Sequence, residues 1–335
     1  MNDELRELVD EIGRRSFDAR VGHHALPEPF DGELWDVLES SGLTRLTTEQ
    51  GAGPAESAVV LGGLARWAAA VPIAETDLLA GWLATAAELT VPAEGPLTVA
   101  IADAEPRHGR LTGTACGVPW PGVGPVVLAA RAADATYVAV LDPAPAAGYD
   151  LAGQPRGDVD FDVAIDDVVR LPVDVGDELM RRGAWARCVQ IVGAFDAAVE
   201  LTSTHVAERV QFGRPLNKLQ AVQHSLATML GEVERSRAAT ALAIAAAESH
   251  GFDGLRADYA VTVAKVAVGR AVVPVTTIAH QLHGAIGVTA EHHLWLATMR
   301  ARSWADEFGT TGRHAARLGR LALATDDPWS LIVGA

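Results

Sequence analysis

Arg209-Val210-Gln211-Phe212-Gly213-Arg214-Pro215-Leu216 separates two long helical patterns, and its position decides how the C-terminal half of the chain folds. Upstream, Ile191, Phe195, Val199 and Val206 recur at helical spacing. Downstream, Leu219, Val222, Leu226, Met229 and Val233 do the same, after Pro215 and with Asn217 as the expected cap. Two further helices are predicted at about 255–282 and 289–306. Long helices with one apolar face and short connections must bury those faces against each other, which predicts an antiparallel four-helix bundle over 173–335.

Working outward, residues 93–172 change character. Short β-like runs at 98–102, 110–115, 126–130, 137–141 and 163–171 are punctuated by glycine and proline, which predicts a small sandwich or barrel. Residues 1–92 return to helical spacing. Asp31 is placed to cap a helix carrying Leu34, Trp35 and Leu38, with Gly42 as its stop, and two apolar helices are expected at 55–70 and 76–87. The fold class predicted is α+β: an N-terminal helical domain (1–92), a small middle β-barrel (93–172) and a C-terminal four-helix bundle (173–335).

Composition excludes several functions. The formal charge of −16 repels phosphate backbones and argues against nucleic-acid binding. Two cysteines, Cys116 and Cys188, rule out a disulfide framework and suit a reducing compartment such as the cytoplasm. The acidic, helical start does not read as a secretory signal. The apolar stretch 59–86 is interrupted by Arg66, Pro72, Glu75 and Asp77, so no membrane span is expected there. There is no P-loop, no G-x-G-x-x-G after a strand, no G-x-S-x-G elbow and no H-E-x-x-H. Adjacent histidines on a helix point roughly 100° apart, so neither His292-His293 nor His23-His24 is expected to grip a metal. The acidic run Asp158, Asp160, Asp162, Asp166, Asp167 lacks the glycine turn of a calcium loop and reads as a solvated strand and its surroundings.

Two segments of the bundle carry chemistry. In Arg209–Pro215, an arginine, an aromatic ring and a glycine at a helix junction suit a planar anionic ligand; an interhelical turn with an exposed ion pair is the plain alternative. In Gln281-Leu282-His283-Gly284-Ala285-Ile286-Gly287, two glycines interrupt a helical pattern. Each costs a helix interior about 1 kcal/mol relative to alanine, so the segment is either a simple break or a ligand cradle.

Together these segments resemble the acyl-CoA dehydrogenase family. Its R-x-x-F-G-x-x-(I/L) junction is matched at 209–216, its following Gln and L-A-x-M helix at Gln220 and 226–229, and its Q-x-x-G-G-x-G at 281–287, with Ala285 in place of the second glycine. The resemblance covers essentially the whole chain, closely in the bundle and loosely in the first two zones. It implies FAD and α,β-dehydrogenation of an acyl-CoA thioester. Arg209 and Phe212 would meet the flavin nucleotide across a dimer interface, Gln281 and Gly284 would line its pyrophosphate or adenine end, Gln220 would lie nearby, and Thr310 matches a family threonine near the cofactor.

That chemistry needs a carboxylate to take the α-proton, a role worth roughly 10²–10⁴-fold in rate. The family's two glutamate positions fall here on Phe308 and near Gly183-Ala184; Glu178 and Asp177 lie upstream of the second. Glu307, one residue from the first, is the remaining candidate base. Trp185 and Trp304 are expected to fill space near the two positions. The family's flavin-facing strand signature is missing between Ile101 and Gly113. Both losses resemble the shorter, base-lacking subunit of actinobacterial heteromeric (α2β2) acyl-CoA dehydrogenases that act on bulky CoA esters such as steroid side chains. Three readings follow: a subunit that completes the FAD site of a longer, Glu-bearing partner; a self-sufficient homo-oligomer using Glu307; or a scaffold relative that has lost FAD.

Overall fold

The computed structural model describes residues 2–22, 25–144 and 148–333; His23 and His24 lie outside them. The chain divides into two compact units. One gathers 1–22, 58–68 and 184–335, the other 23–57 and 69–183.

In the first unit the bundle is built from α5 (Val173–Glu208, which begins in the other unit), α6 (Gln220–His250), α7 (Gly254–His283) and the shorter α8 (Leu294–Ala305), with α9 (Thr311–Leu323) along α7 and α10 (Pro328–Val333) at the end. α7 is the inner helix. Val261, Ala264, Val268, Ala271, Val272, Val275 and Ala279 are buried along it. Its length and composition alone would suit a membrane span, but half of its apolar window is buried inside the protein, and core position accounts for that hydropathy. Two N-terminal helices, α1 (Asn2–Arg20) and α3 (Pro54–Arg66), add to this unit. Their contacts are close because glycines stand where side chains would collide. A Cβ on Gly63 would lie 2.6 Å from Val9 Cγ1, and one on Gly193 of α5 would lie 2.1 Å from the Gly62 carbonyl oxygen. Backbone cannot swing aside as a flexible side chain can. Gly193→Ala is therefore expected to lower the unfolding free energy by about 2–3 kcal/mol, checked by urea denaturation.

Asn217 does not cap α6. It lies in a 3-10 turn, Leu216–Lys218, and the residue before α6 is Leu219, which offers no side-chain cap; the Asn217 carbonyl instead accepts from Gln223 Nε2 at 2.9 Å.

In the second unit, α2 (Gly32–Ser40) starts as predicted: Asp31 Oδ1 accepts from Leu34 N at 3.0 Å. The helix expected at 76–87 instead opens as a π-helix, Glu75–Gly81, before α4 (Trp82–Ala86). Periodicity at 3.6 residues cannot foresee that widened turn. Its buried Asp77 accepts from Thr47 N, Thr48 N and Thr48 Oγ1, so it pins the turn after α2.

Among the described residues the strands of this unit form two sheets. One has the order β1 (Thr98–Asp103), β3 (Val126–Arg131), β4 (Thr136–Leu141), β7 (Val169–Leu171), with β1 and β3 parallel. The other has β2 (Arg110–Pro119), β6 (Pro155–Ala164), β5 (Gly148–Tyr149). Leu111, Ala115, Val159 and Phe161 of one sheet share a core with Ala100, Leu128, Ala130 and Tyr137 of the other, so the small barrel of the sequence reading is realised as two facing sheets. The run expected at 163–171 is not one strand: it holds the end of β6, a 3-10 turn and β7. Alternation along β6 sends Val159 and Phe161 inward and Asp158, Asp160 and Asp162 outward. Those carboxylates bind across the ladder, to Gly117 N, Thr114 Oγ1 and the Arg110 guanidinium.

Candidate functional site

The turn expected between α5 and α6 is a β-hairpin. β8 (Val210–Gln211) pairs with β9 (Arg214–Pro215), and Phe212 and Gly213 between them have φ of 54° and 74°. A two-residue loop with both residues in the left-handed region matches the twist of the strands it joins. Glycine takes that conformation freely; phenylalanine does not, and it is held here by the hairpin's closure. Arg209 N donates to the His205 carbonyl and Leu216 N to the Arg209 carbonyl, each at 2.9 Å. The result is an exposed arm closed by backbone hydrogen bonds. Arg209 is exposed, and the Phe212 ring at its tip is 86% exposed.

The Gln281 segment ends α7. Gly284 has φ 66°, its N–H donates to the His280 carbonyl, and a 3-10 turn runs on to Val288. The two glycines have different reasons. Gly287 is packed, since a Cβ there would lie 2.7 Å from His283 Cβ; Gly284 is needed for its φ and has open space around it. Gln281, Gly284 and Ala285 are all exposed, so the Ala285 methyl crowds nothing in this chain.

A contact the sequence reading missed ties these segments together. His205, one turn before Arg209, stacks on His283, the residue before Gly284, with ring centroids 4.5 Å apart and planes at 22°. Arg209, Phe212, Gln281 and Gly284 therefore share one end of the bundle. Val210, Ile286 and Val288 beside them are exposed apolar side chains. An exposed arginine, an exposed ring and an open glycine turn are groups that could hold a flat, anionic nucleotide. Gln220, the first residue of α6, is also exposed.

Thr310 and Glu307 lie elsewhere. Thr311 packs against Gly269, fourteen residues before His283 on α7, which is about 20 Å along the helix. Thr310 caps α9, its Oγ1 accepting from Arg313 N at 3.2 Å. Glu307 Oε2 accepts from Arg187 Nε at 2.7 Å, and the Arg187 side chain is only 2% exposed. Arg187 Nη1 donates to Gln190 Oε1 at 2.6 Å, and its guanidinium lies 5.8 Å from the Trp304 ring and 5.6 Å from the Phe308 ring. Lys265 Nζ donates to the carbonyls of Ala305 and Glu307, both at 2.8 Å. Burial holds the Lys265 amine below its ordinary pKa and pushes the neighbouring Cys188 thiol up to about 12, so that thiol is inert.

The other base position lies in α5. Gly183 is buried in α5; upstream, Glu178 is bonded to Arg182, which lies over Trp82. Trp185 is fully buried and meets Phe252 edge-on at 5.4 Å, and Trp304 is 2% exposed, so both are core residues. His292 and His293 precede α8 and do not lie on it, their rings 6.3 Å apart; among the described residues no group of three His, Cys, Asp or Glu is placed to hold a metal.

Helices before and after a two-sheet unit, a long-helix bundle and a glycine-broken inner helix give the fold of the acyl-CoA dehydrogenases, and the bundle carries that family's C-terminal domain. Residues 174–323 match the family described as acyl-CoA dehydrogenase, C-terminal domain. The chain is 29% identical to acyl-CoA dehydrogenase IpdE2 of Mycolicibacterium smegmatis, over 94% of this chain and 98% of that protein. Among solved structures it is similar to a chain of the ChsE4-ChsE5 complex from Mycobacterium tuberculosis (TM-score 0.85, 23% identity, 97% of this chain and 98% of that one). It is also similar to a chain of the Tcur3481-Tcur3483 steroid ACAD G363A variant (TM-score 0.76, 24% identity, 96% and 99%).

Proposed function

We propose that this chain is the base-lacking subunit of a heteromeric, FAD-dependent acyl-CoA dehydrogenase, and that it completes the flavin site of a longer, Glu-bearing partner in an α2β2 assembly. The observation that carries this reading is the separation of two sets of residues. Arg209, Phe212, Gln281 and Gly284 are gathered and turned outward at one end of the bundle, whereas Glu307 is held by buried Arg187. On this reading the chain supplies a binding half-site, while Glu307 is engaged by Arg187.

FAD, when bound, supplies the acceptor for the hydride that leaves the β-carbon of the acyl thioester. This chain's residues do the rest of the binding work. The Arg209 fork takes up phosphate charge, the Phe212 ring offers an apolar face, and the left-handed Gly284 turn lets backbone approach the nucleotide. Gln281 and Gln220 add amide donors at the rim, and Thr310, on the side of the bundle away from that end, is free at its exposed edge to meet cofactor or partner. The α-proton is taken by a carboxylate of the partner.

The substrate we propose is a CoA ester with a bulky, steroid-derived acyl part, used in lipid breakdown in the cytoplasm. The neighbours named a complex and a steroid ACAD support this, as do the two free thiols.

The test is the visible flavin absorbance of the protein purified alone and after co-expression with a longer relative encoded beside it. Flavin is expected only in the co-purified complex. A stoichiometric flavin in the chain alone would return the self-sufficient homo-oligomer, and a colourless protein with every partner would return the scaffold.

A further inference from the structure

Three imidazoles lie against one another at the end of the bundle that carries Arg209 and Gln281. Beyond the His205–His283 stack, His292 meets His283 at 4.6 Å and 66°, and His205 at 6.3 Å and 87°. They come from three segments: the end of α5, the end of α7 and the turn before α8. His293 extends the group and meets Phe17 of α1 edge-on at 5.3 Å.

The geometry defines the protonation state. His283 Nδ1 lies 2.8 Å from the Ala279 carbonyl, which only accepts, so Nδ1 carries the hydrogen. Nε2 is then a bare lone pair. It is buried and has no hydrogen-bond partner, on a side chain only 5% exposed. Among the described residues no three His, Cys, Asp or Glu side chains are placed to hold a metal, so a shared ion does not account for the group.

Charge on any of the three rings would face like charge. Arg209 and Glu208 face His205; His205, His280 and His292 face His283; His293 and His205 face His292; Arg302 faces His280. Glu208 is the one acid among these. Burial is the first cause that holds His205, His280 and His292 below the ordinary 6.5, and it takes His283 to about 4.

We infer that His205, His283 and His292 are positioning residues. As a neutral stack they hold the β8–β9 hairpin against the Gly284–Val288 turn, and their protonation releases the two segments from each other. The functional consequence, loss of the flavin half-site in acid, rests on the reading proposed above; the structural switch does not.

The sign follows from proton counting. The closed stack binds fewer protons than the opened one between about 4 and 6.5. Closure is therefore complete above that window. It weakens by up to about tenfold per pH unit on account of His283 as the pH falls through it, and the lowered His205 and His292 act in the same direction.

Hydrogen exchange of the full-length chain tests this. After correction for intrinsic rates, amides in 205–216 and 280–288 should exchange at least about tenfold faster near pH 5 than near pH 7.5, while those of β1 and β3 do not. His283→Phe keeps an aromatic ring for stacking but removes the most strongly shifted imidazole, so it should abolish most of that acid response. If that variant fails to fold, His205→Phe should still weaken the response measurably. No acid response in the wild-type chain, or the same response in the variant, overturns the inference. Flavin retained by the co-purified complex is followed over the same pH range. Release with the same midpoint supports the coupling, and release unrelated to it counts against it. A complex with no flavin at any pH removes the half-site reading and leaves the exchange result to decide the switch.

Discussion

Arg209→Ala will strip flavin from the complex, with retention falling about ten- to a hundredfold. A hydrogen bond to a charged group is worth about 1.5–3 kcal/mol, and a guanidinium fork on a phosphate makes two in one plane. The fold should not pay for the change. The Arg209 side chain is exposed, and its hairpin is closed by its backbone N–H and carbonyl, which alanine retains. The measurement is the flavin-to-protein ratio after gel filtration of the complex, together with FAD titration by fluorescence. Arg209→Lys should recover part of the affinity, because it keeps charge and loses the planar fork. Wild-type flavin content in Arg209→Ala would place the cofactor elsewhere and sink the half-site reading.

Glu307→Ala is expected to cost about 3 kcal/mol of stability, read by chemical denaturation. Removing this carboxylate leaves the buried Arg187 guanidinium without its acceptor at 2.7 Å, and breaking one side of a buried pair typically costs about 3–5 kcal/mol. Glu307 is partly exposed, which places the effect at the low end. Glu307→Gln separates structure from catalysis. The amide oxygen still accepts from Arg187, so most of the stability should survive. If Glu307 were the base, the same change would cost the complex roughly 10²–10⁴-fold in turnover. We expect turnover of the complex to stay within a factor of about three, because the carboxylate serves Arg187, and Lys265 holds the backbone around it.

The parts legible in the sequence were those with short-range causes. The helices of the bundle, the Asp31 cap and the β character of 93–172 all rest on spacing or on one residue's conformational preference. The arginine–phenylalanine–glycine junction and the broken end of α7 were legible for the same reason, although the junction's hairpin was not; the clue was Phe212-Gly213 as a two-residue left-handed loop. A local preference also misleads where tertiary contacts compete. Asn217 is a good cap that caps nothing, and the helix expected at 76–87 opens into a π turn.

What the sequence by itself determined is most of the helices and strands and a set of candidate residues for a nucleotide, since periodicity and backbone freedom act within a few residues. Only the tertiary structure decided what surrounds those residues. The Arg187–Glu307 pair joins positions 120 residues apart, and it gives the Glu307 carboxylate a buried cation as partner. The imidazole stack likewise needs three chain segments to meet, and no spacing along the chain encodes it. Charge pairing and ring stacking act through space at 3–5 Å, so their partners are chosen by packing once the elements have formed.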